Sequence, residues 1–321
     1  MFCNIILLFC FKFGDFSLEI WYNNSGDFMN TYEKCNLCPH NCNINRKNTL
    51  GYCKASDKVK IAKYCLYMYE EPCISGNNRS GTIFFSGCNM NCLYCQNYEI
   101  SENCQGKIVD ENDLVNIYLT LQKQKAHNIN LVTPTHYVPT IKKSLEIAKE
   151  KGLNIPIVYN TSSYENTETI KILNNLIDIY LPDLKYYDDE LAIKYSKSKD
   201  YFKYASLAIE EMYKQVGKPV FDENGILKKG VIIRHLMLPN KKEDTKKIIK
   251  YIYDTYKDNV IISIMNQYTP VQNYKYQELN TKITKEDYEE IIDYAYNLGI
   301  RNAYVQEDGT VSTSFIPKWD Y

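Results

Sequence analysis

The stretch Thr82-Ile83-Phe84-Phe85-Ser86-Gly87-Cys88-Asn89-Met90-Asn91-Cys92-Leu93-Tyr94-Cys95-Gln96-Asn97 decides how this chain is read. Its apolar opening has the look of a buried strand, and a loop with the cysteine pattern C-x3-C-x2-C follows directly. Three thiolates on one short loop can hold three irons of a [4Fe–4S] cluster and leave the fourth without a protein ligand. An iron of that kind is open to a small molecule. A structural zinc ion ordinarily takes four protein ligands, so the odd number argues against a zinc knuckle.

Outward from this loop, short apolar runs alternate with amphipathic stretches. Strands are expected over 82–86, 129–133, 155–160, 177–181, 231–238, 260–265 and 303–306. Helices are expected over 110–123, 139–151, 165–175, 189–196, 201–215, 242–257 and 284–298, with Gly152 and Gly299 placed as stops. Continuously apolar strands are those of a parallel sheet covered by helices. Repeated βα units therefore predict an α/β fold, and about six or seven units fall short of the eight that close a full barrel. The expected architecture is an open, partial (β/α)6 barrel over 81–321.

Residues 29–80 differ in character, being rich in cysteine and poor in helical periodicity, with a short alternating stretch over 59–69. Cys35, Cys38, Cys42 and Cys53 form the pattern C-x2-C-x3-C-x10-C. Four thiolates suit tetrahedral zinc or a second iron–sulfur cluster, His40 stands among them as a substitute ligand, and spacing does not choose between the metals. The segment is expected to be a small metal-binding module packed on the barrel. Cys65, Cys73, Cys104, Cys3 and Cys10 lack partner spacing and are expected as ordinary core or loop cysteines. Residues 1–28 read as an N-terminal extension: the apolar run at its start is too short to span a bilayer. It has neither the basic flank nor the small-residue cleavage site of a secretory signal. Met29 is expected to be the true start, in preference to a membrane anchor.

The whole sequence has 321 residues and a net charge of −1, which excludes adhesion to nucleic acid or membrane by charge alone. Of its twelve cysteines, seven fall in two clusters at metal-like spacings, which is not the look of a disulfide framework. That usage points to a reducing compartment, the cytoplasm, and no nucleic-acid or membrane partner is expected.

In βα barrels the reactive groups gather at the C-terminal ends of the strands. There the sequence places Thr133, Thr135 and His136 after the second expected strand, Asn160 at the end of the third, and Asp183 and Lys185 after the fourth. Asp183 and Lys185 would be a weak surface ion pair if both faced solvent. At a barrel mouth they are suited to hydroxyls and a carboxylate of a bound cofactor. Arg234 lies inside an apolar strand, so it requires a buried anion or an acidic ligand.

Taken together these residues resemble the radical S-adenosylmethionine (SAM) superfamily, and within it the pyruvate formate-lyase-activating-enzyme branch and its PflX-type group. The resemblance is carried by segments 35–53, 70–72, 80–97, 128–139, 158–165, 178–186, 211–217, 230–239 and 263–270. It implies that Cys88, Cys92 and Cys95 bind a [4Fe–4S] cluster whose open iron chelates SAM. It also implies that Asp183 and Lys185 contact SAM. Thr133-Pro134-Thr135 stands where activating enzymes have a Gly-Gly-Glu-like turn that holds the SAM amino group. The implied activity is reductive cleavage of SAM to a 5′-deoxyadenosyl radical that abstracts hydrogen, fed by a flavodoxin or ferredoxin and directed at a glycyl-radical-type protein. Two other readings stand beside it. One is radical SAM modification of a small molecule, a peptide or an RNA base. The other is a non-catalytic iron–sulfur or zinc protein with a redox-sensing or structural role.

Overall fold

The computed structural model describes residues 32–306 and Trp319. The expectations for residues 1–28, for Met29 as the start, and for Cys3 and Cys10 lie outside the described residues. In chain order the elements are β1 (Val59–Tyr67), α1 (Pro72–Ser75), β2 (Ser80–Phe85), α2 (Tyr98–Ser101), β3 (Lys107–Val109), α3 (Glu111–Lys123) and β4 (Ile129–Val132). Then come α4 (Val138–Glu150), β5 (Ile157–Thr161), α5 (Thr167–Lys171), β6 (Ile179–Pro182), α6 (Asp189–Ser196) and α7 (Tyr201–Val216). The chain continues with β7 (Val220–Phe221), β8 (Leu227–Leu236), α8 (Lys242–Tyr256), β9 (Ile261–Met265), α9 (Lys285–Leu298) and β10 (Ala303–Val305).

Strands β2, β4, β5, β6, β8, β9 and β10 pair in parallel, each with the next. Their order in the sheet follows their order in the chain without reversal. A sheet wound in one direction curls toward a barrel, whereas a doubly wound sheet reverses at a switch point. The fold is accordingly α/β with a partial barrel, as the sequence predicts. At one edge β1 pairs antiparallel with β2, and β3 pairs antiparallel with β1. The alternating stretch over 59–69 is thus an edge strand of the same sheet, with Tyr64 opposite Ile83 and Tyr67 opposite Ser80.

The helix ends follow from local chemistry. Asp110 caps α3 through the Asp113 N–H while the Asp113 carboxylate returns to the Asp110 N–H, a reciprocal capping box. Thr284 caps α9 through the Asp287 N–H, and Gly299, at φ +102°, ends that helix in the left-handed conformation. The helix expected over 165–175 is shorter, α5 alone; beyond it the chain runs in turns that include a left-handed Asn175, φ +64°.

Every residue of β2, β5 and β9 is buried, and alternate side chains divide between two cores. Tyr159, Tyr180, Ile233 and Ile262 pack outward into the large core beneath the helices. Val158, Ile179, Leu181, Ile232 and Ile261 point the other way and meet Cys73 and Ile74 of α1. Helix α1 therefore stops the barrel interior at one end, held by the Asn128 amide donating to the Ile74 carbonyl at 2.8 Å. The opposite end, at the C-termini of the parallel strands, carries the polar residues.

Candidate functional site

The first parallel strand, β2, delivers its chain into the cysteine loop through Gly87, whose φ of +88° and contact with the Cys53 carbonyl leave no room for a Cβ. Cys88, Cys92 and Cys95 then line one cavity of about 250 Å³ at the barrel mouth, with Thr133, Asn160, Asp183, Lys185 and Arg234. None of the three cysteines is in a disulfide. Each sulfur has a hydrogen-bonding neighbour. The Met90 N–H donates to Cys88 at 3.3 Å, the Ser196 hydroxyl to Cys92 at 3.0 Å, and the Ser101 hydroxyl lies 3.4 Å from Cys95. Burial, followed by the neighbouring Cys92 and Cys95, pushes the Cys88 thiol up. Burial pushes Cys92 up to about 11 against the pull of the Lys185 ammonium. Ionising thiols crowded in this way would require a cation among them. Among the described residues no three His, Cys, Asp or Glu side chains are disposed to hold a single metal ion. Three unbridged thiols on one loop, each hydrogen-bonded and facing a shared cavity, form a donor set that fits three corners of a [4Fe–4S] cluster.

Behind the loop is a network of charges. Arg234 on β8 donates from Nε to Asp183 Oδ1 at 2.8 Å, from Nη2 to Asn160 Oδ1 at 2.7 Å and from Nη1 to Glu70 Oε2 at 3.3 Å. Lys185 completes it, 2.7 Å from Asp183 Oδ2. Burial raises the Asp183 carboxyl, but Arg234 and Lys185 outweigh it and the group ends below its ordinary value. Burial raises Glu70 and Glu71, and Arg234 recovers only part of that. The anion that Arg234 requires is thus supplied by the protein, as Asp183 and Glu70, so its guanidinium is a support for the cavity wall rather than a free anion receptor.

Thr133, Asn160, Asp183, Lys185 and Arg234 come together as the strand-end argument expects. Thr135 and His136 are not brought to the cavity. Thr135 donates to the buried Glu165 carboxylate at 2.7 Å. The His136 ring turns beneath the cysteine loop, with Nε2 2.9 Å from the Ser86 carbonyl, and burial lowers its pKa to about 3. A 3₁₀ turn over Thr135–Tyr137 redirects both side chains downward, which adjacency in sequence does not reveal. Glu70, absent from the sequence-derived site, enters from the segment between β1 and α1. Its signal was two successive carboxylates, Glu70 and Glu71, beside a proline. His40 is occupied elsewhere: its Nε2 lies 2.8 Å from the Asn89 carbonyl and its ring stacks on Tyr52.

A partial parallel barrel with a three-cysteine loop after its first parallel strand defines a class of iron–sulfur proteins that bind SAM. The Radical SAM superfamily model matches residues 82–252, and the chain belongs to that superfamily. The family carries a [4Fe–4S] cluster and SAM. An uncharacterized protein of Methanocaldococcus jannaschii is 30% identical over 284 residues, 84% of this chain and 77% of that one. Among solved structures, SuiB of Streptococcus suis bound to S-adenosylmethionine matches with TM-score 0.49 and 16% identity, over 71% of this chain. The chain spans about half, 50%, of that protein's length. A domain of pyruvate-formate lyase-activating enzyme from Bacteroides vulgatus matches with TM-score 0.39 and 12% identity, over 53% of this chain and 92% of that one. No helix of the described residues is long and apolar enough to cross a membrane.

Proposed function

We propose that this chain is an activating-enzyme-like radical SAM enzyme of the PflX type, with a glycyl-radical-type protein as its target. The observation that carries the catalytic part is the convergence of Cys88, Cys92 and Cys95 on one cavity with Asp183 and Lys185. In this reading Cys88, Cys92 and Cys95 would hold the cluster, and SAM would bind beside it in the cavity they line. With the cluster and SAM bound, the site would have the one-electron chemistry for reductive cleavage of SAM and hydrogen abstraction from the target.

The chain's own residues do the rest. The Asp183–Lys185 pair presents a carboxylate to ribose hydroxyls and an ammonium to a carboxylate, and Arg234 with Glu70 fixes the Asp183 side chain. Thr133, φ +58°, turns its backbone at the cavity wall and offers carbonyls where a Gly-Gly-Glu-like turn is absent. Burial of these side chains excludes water, which protects a reactive radical from quenching. The support for a macromolecular target is the surface beside the cavity. Met68 and Tyr98 are large, apolar and exposed, and each is a chain neighbour of residues that line the cavity, Tyr67 and Asn97. A flavodoxin or ferredoxin is the electron donor in this reading.

The test is anaerobic. The reconstituted chain with SAM and dithionite should release 5′-deoxyadenosine, and Cys88→Ala should abolish it. An iron-loaded, SAM-binding wild type that makes none would return the chain to the redox-sensing or structural reading.

A further inference from the structure

The four cysteines that precede the barrel occupy one small volume directly behind the cysteine loop. Cys35, Cys38 and Cys53 are buried, Cys42 is half-buried, and none is in a disulfide. They lie within electrostatic reach of one another: Cys38 senses Cys53 and Cys35, and Cys53 senses Cys35 and Cys42. Two of them repeat a local geometry already seen in the barrel loop. The Cys38 sulfur accepts the backbone N–H of His40 and the Cys53 sulfur that of Ala55, each two residues on. Cys88 accepts from Met90 in the same way. A neutral thiol is a weak acceptor, while a metal-bound thiolate is a strong one.

Arg46 is the independent observation. Its side chain is 0% exposed, yet among the described residues no carboxylate pairs with it. It donates to three backbone carbonyls, Ala55 at 3.2 Å, His136 at 2.6 Å and Ser56, and Nη1 lies 4.0 Å from Cys35 Sγ. The Tyr32 ring sits 4.9 Å from the guanidinium. A buried cation without an anion is strongly unfavourable. Four thiolates around a core of charge +2 carry a net charge of −2, which supplies the missing anion.

The two cysteine sets also touch. The Cys88 N–H donates to the Cys53 carbonyl at 3.3 Å, so a ligand of one set is hydrogen-bonded to a ligand of the other. Zinc would have no use for such a link, having no redox chemistry.

We propose that Cys35, Cys38, Cys42 and Cys53 hold a second iron–sulfur cluster with full cysteine ligation, that Arg46 is its buried counter-cation, and that it passes electrons to the Cys88 loop. The cluster stands on these residues alone; its relay role rests on the radical SAM reading of the loop. One electron from an external low-potential protein carrier takes the second core from +2 to +1. The core returns to +2 as the electron moves on to the loop's cluster, which goes from +2 to +1, and no bond is made or broken.

The experiment compares anaerobically reconstituted wild type with Cys88→Ala/Cys92→Ala/Cys95→Ala and with Cys35→Ala/Cys38→Ala. Wild type should hold about eight irons and the triple variant about four, the latter with a reduced-cluster EPR signal that SAM does not perturb. One zinc and no iron in the triple variant, or no metal at all, overturns the proposal. A triple variant that keeps as much iron as wild type faults the loop reading instead and leaves the second site standing. In Cys35→Ala/Cys38→Ala, dithionite should still reduce the loop's cluster while reduced flavodoxin does so at least about tenfold more slowly; equal flavodoxin rates overturn the relay. Arg46→Gln should keep its iron and shift the EPR midpoint of the second cluster to more negative potential; an unmoved midpoint overturns the counter-cation. If Arg46→Gln fails to fold, Arg46→Lys serves: it keeps the charge and should keep the wild-type midpoint, and a shifted one overturns the assignment.

Discussion

Glu165 is fully buried, and one of its oxygens accepts from Thr161 at 2.5 Å, Thr135 at 2.7 Å and Tyr159 at 3.2 Å. Its other oxygen has no partner, and burial outweighs the three hydroxyls to lift the carboxyl from 4.5 to about 7. A group raised in the folded state contributes stability that is present below its unfolded value and lost as pH rises through the folded one. Stability should therefore decline between pH 4.5 and about 7 by on the order of 3 kcal/mol, at about 1.4 kcal/mol per unit. Glu165→Gln should flatten that decline in urea titrations run from pH 5.5 to 8. Parallel curves for the two proteins would show that another group governs it. At this scale the sequence revealed a residue when its type clashed with its surroundings: Arg234, after Val231, Ile232 and Ile233, demanded an anion. It did not reveal which one, because Glu70 lies 164 positions away in the chain. Thr135 and His136 misled for the opposite reason, since nothing in their identities shows that a tight turn aims them inward.

Strands β6 and β8 show what an element adds to its residues. The Leu184 N–H donates to the Arg234 carbonyl at 2.8 Å, and Asp183 bridges Arg234 as the ladder ends. The backbone pairing that ends β6 is thus what sets the Asp183 carboxylate against the Arg234 guanidinium. The Arg234, Asp183 and Glu70 side chains are only 15%, 17% and 7% exposed, so removing the cation leaves two carboxylates in a poorly hydrated space. Arg234→Met is expected to cost about 3–5 kcal/mol in urea unfolding, whereas Arg234→Lys, which keeps a charge but loses the three-way fork, should cost less than half of that. Equal losses in the two variants would mean that shape, not charge, holds the strand ends. The parallel strands were legible because burial on both faces leaves a continuous apolar run. β1 was less so: Tyr64 faces outward and half-exposed residues interrupt its pattern, leaving only an alternating trace of an edge strand.

Across the whole molecule the cysteine-rich segment is bound to the barrel at many points far apart in sequence. Arg46 reaches the His136 carbonyl, His40 the Asn89 carbonyl, Thr169 donates to the Leu37 carbonyl at 2.8 Å, and Tyr32 lies 3.0 Å from the Thr140 hydroxyl. Beyond these, β1 pairs along its length with β2, so the sheet itself crosses residue 80. Change of composition near that residue suggested a module separate from the barrel, since composition registers cysteine density and says nothing of hydrogen bonds across a boundary. Linkages this numerous couple the two parts energetically, and coupled parts unfold together. Anaerobic urea unfolding of the iron-loaded chain should therefore give one midpoint, whether followed by far-UV circular dichroism or by visible cluster absorbance. In the variant lacking Cys88, Cys92 and Cys95, whatever absorbance remains from the segment should disappear at the midpoint of the barrel's helices. Loss of that absorbance at lower urea, with the helices intact, would define residues 29–80 as an independently unfolding unit.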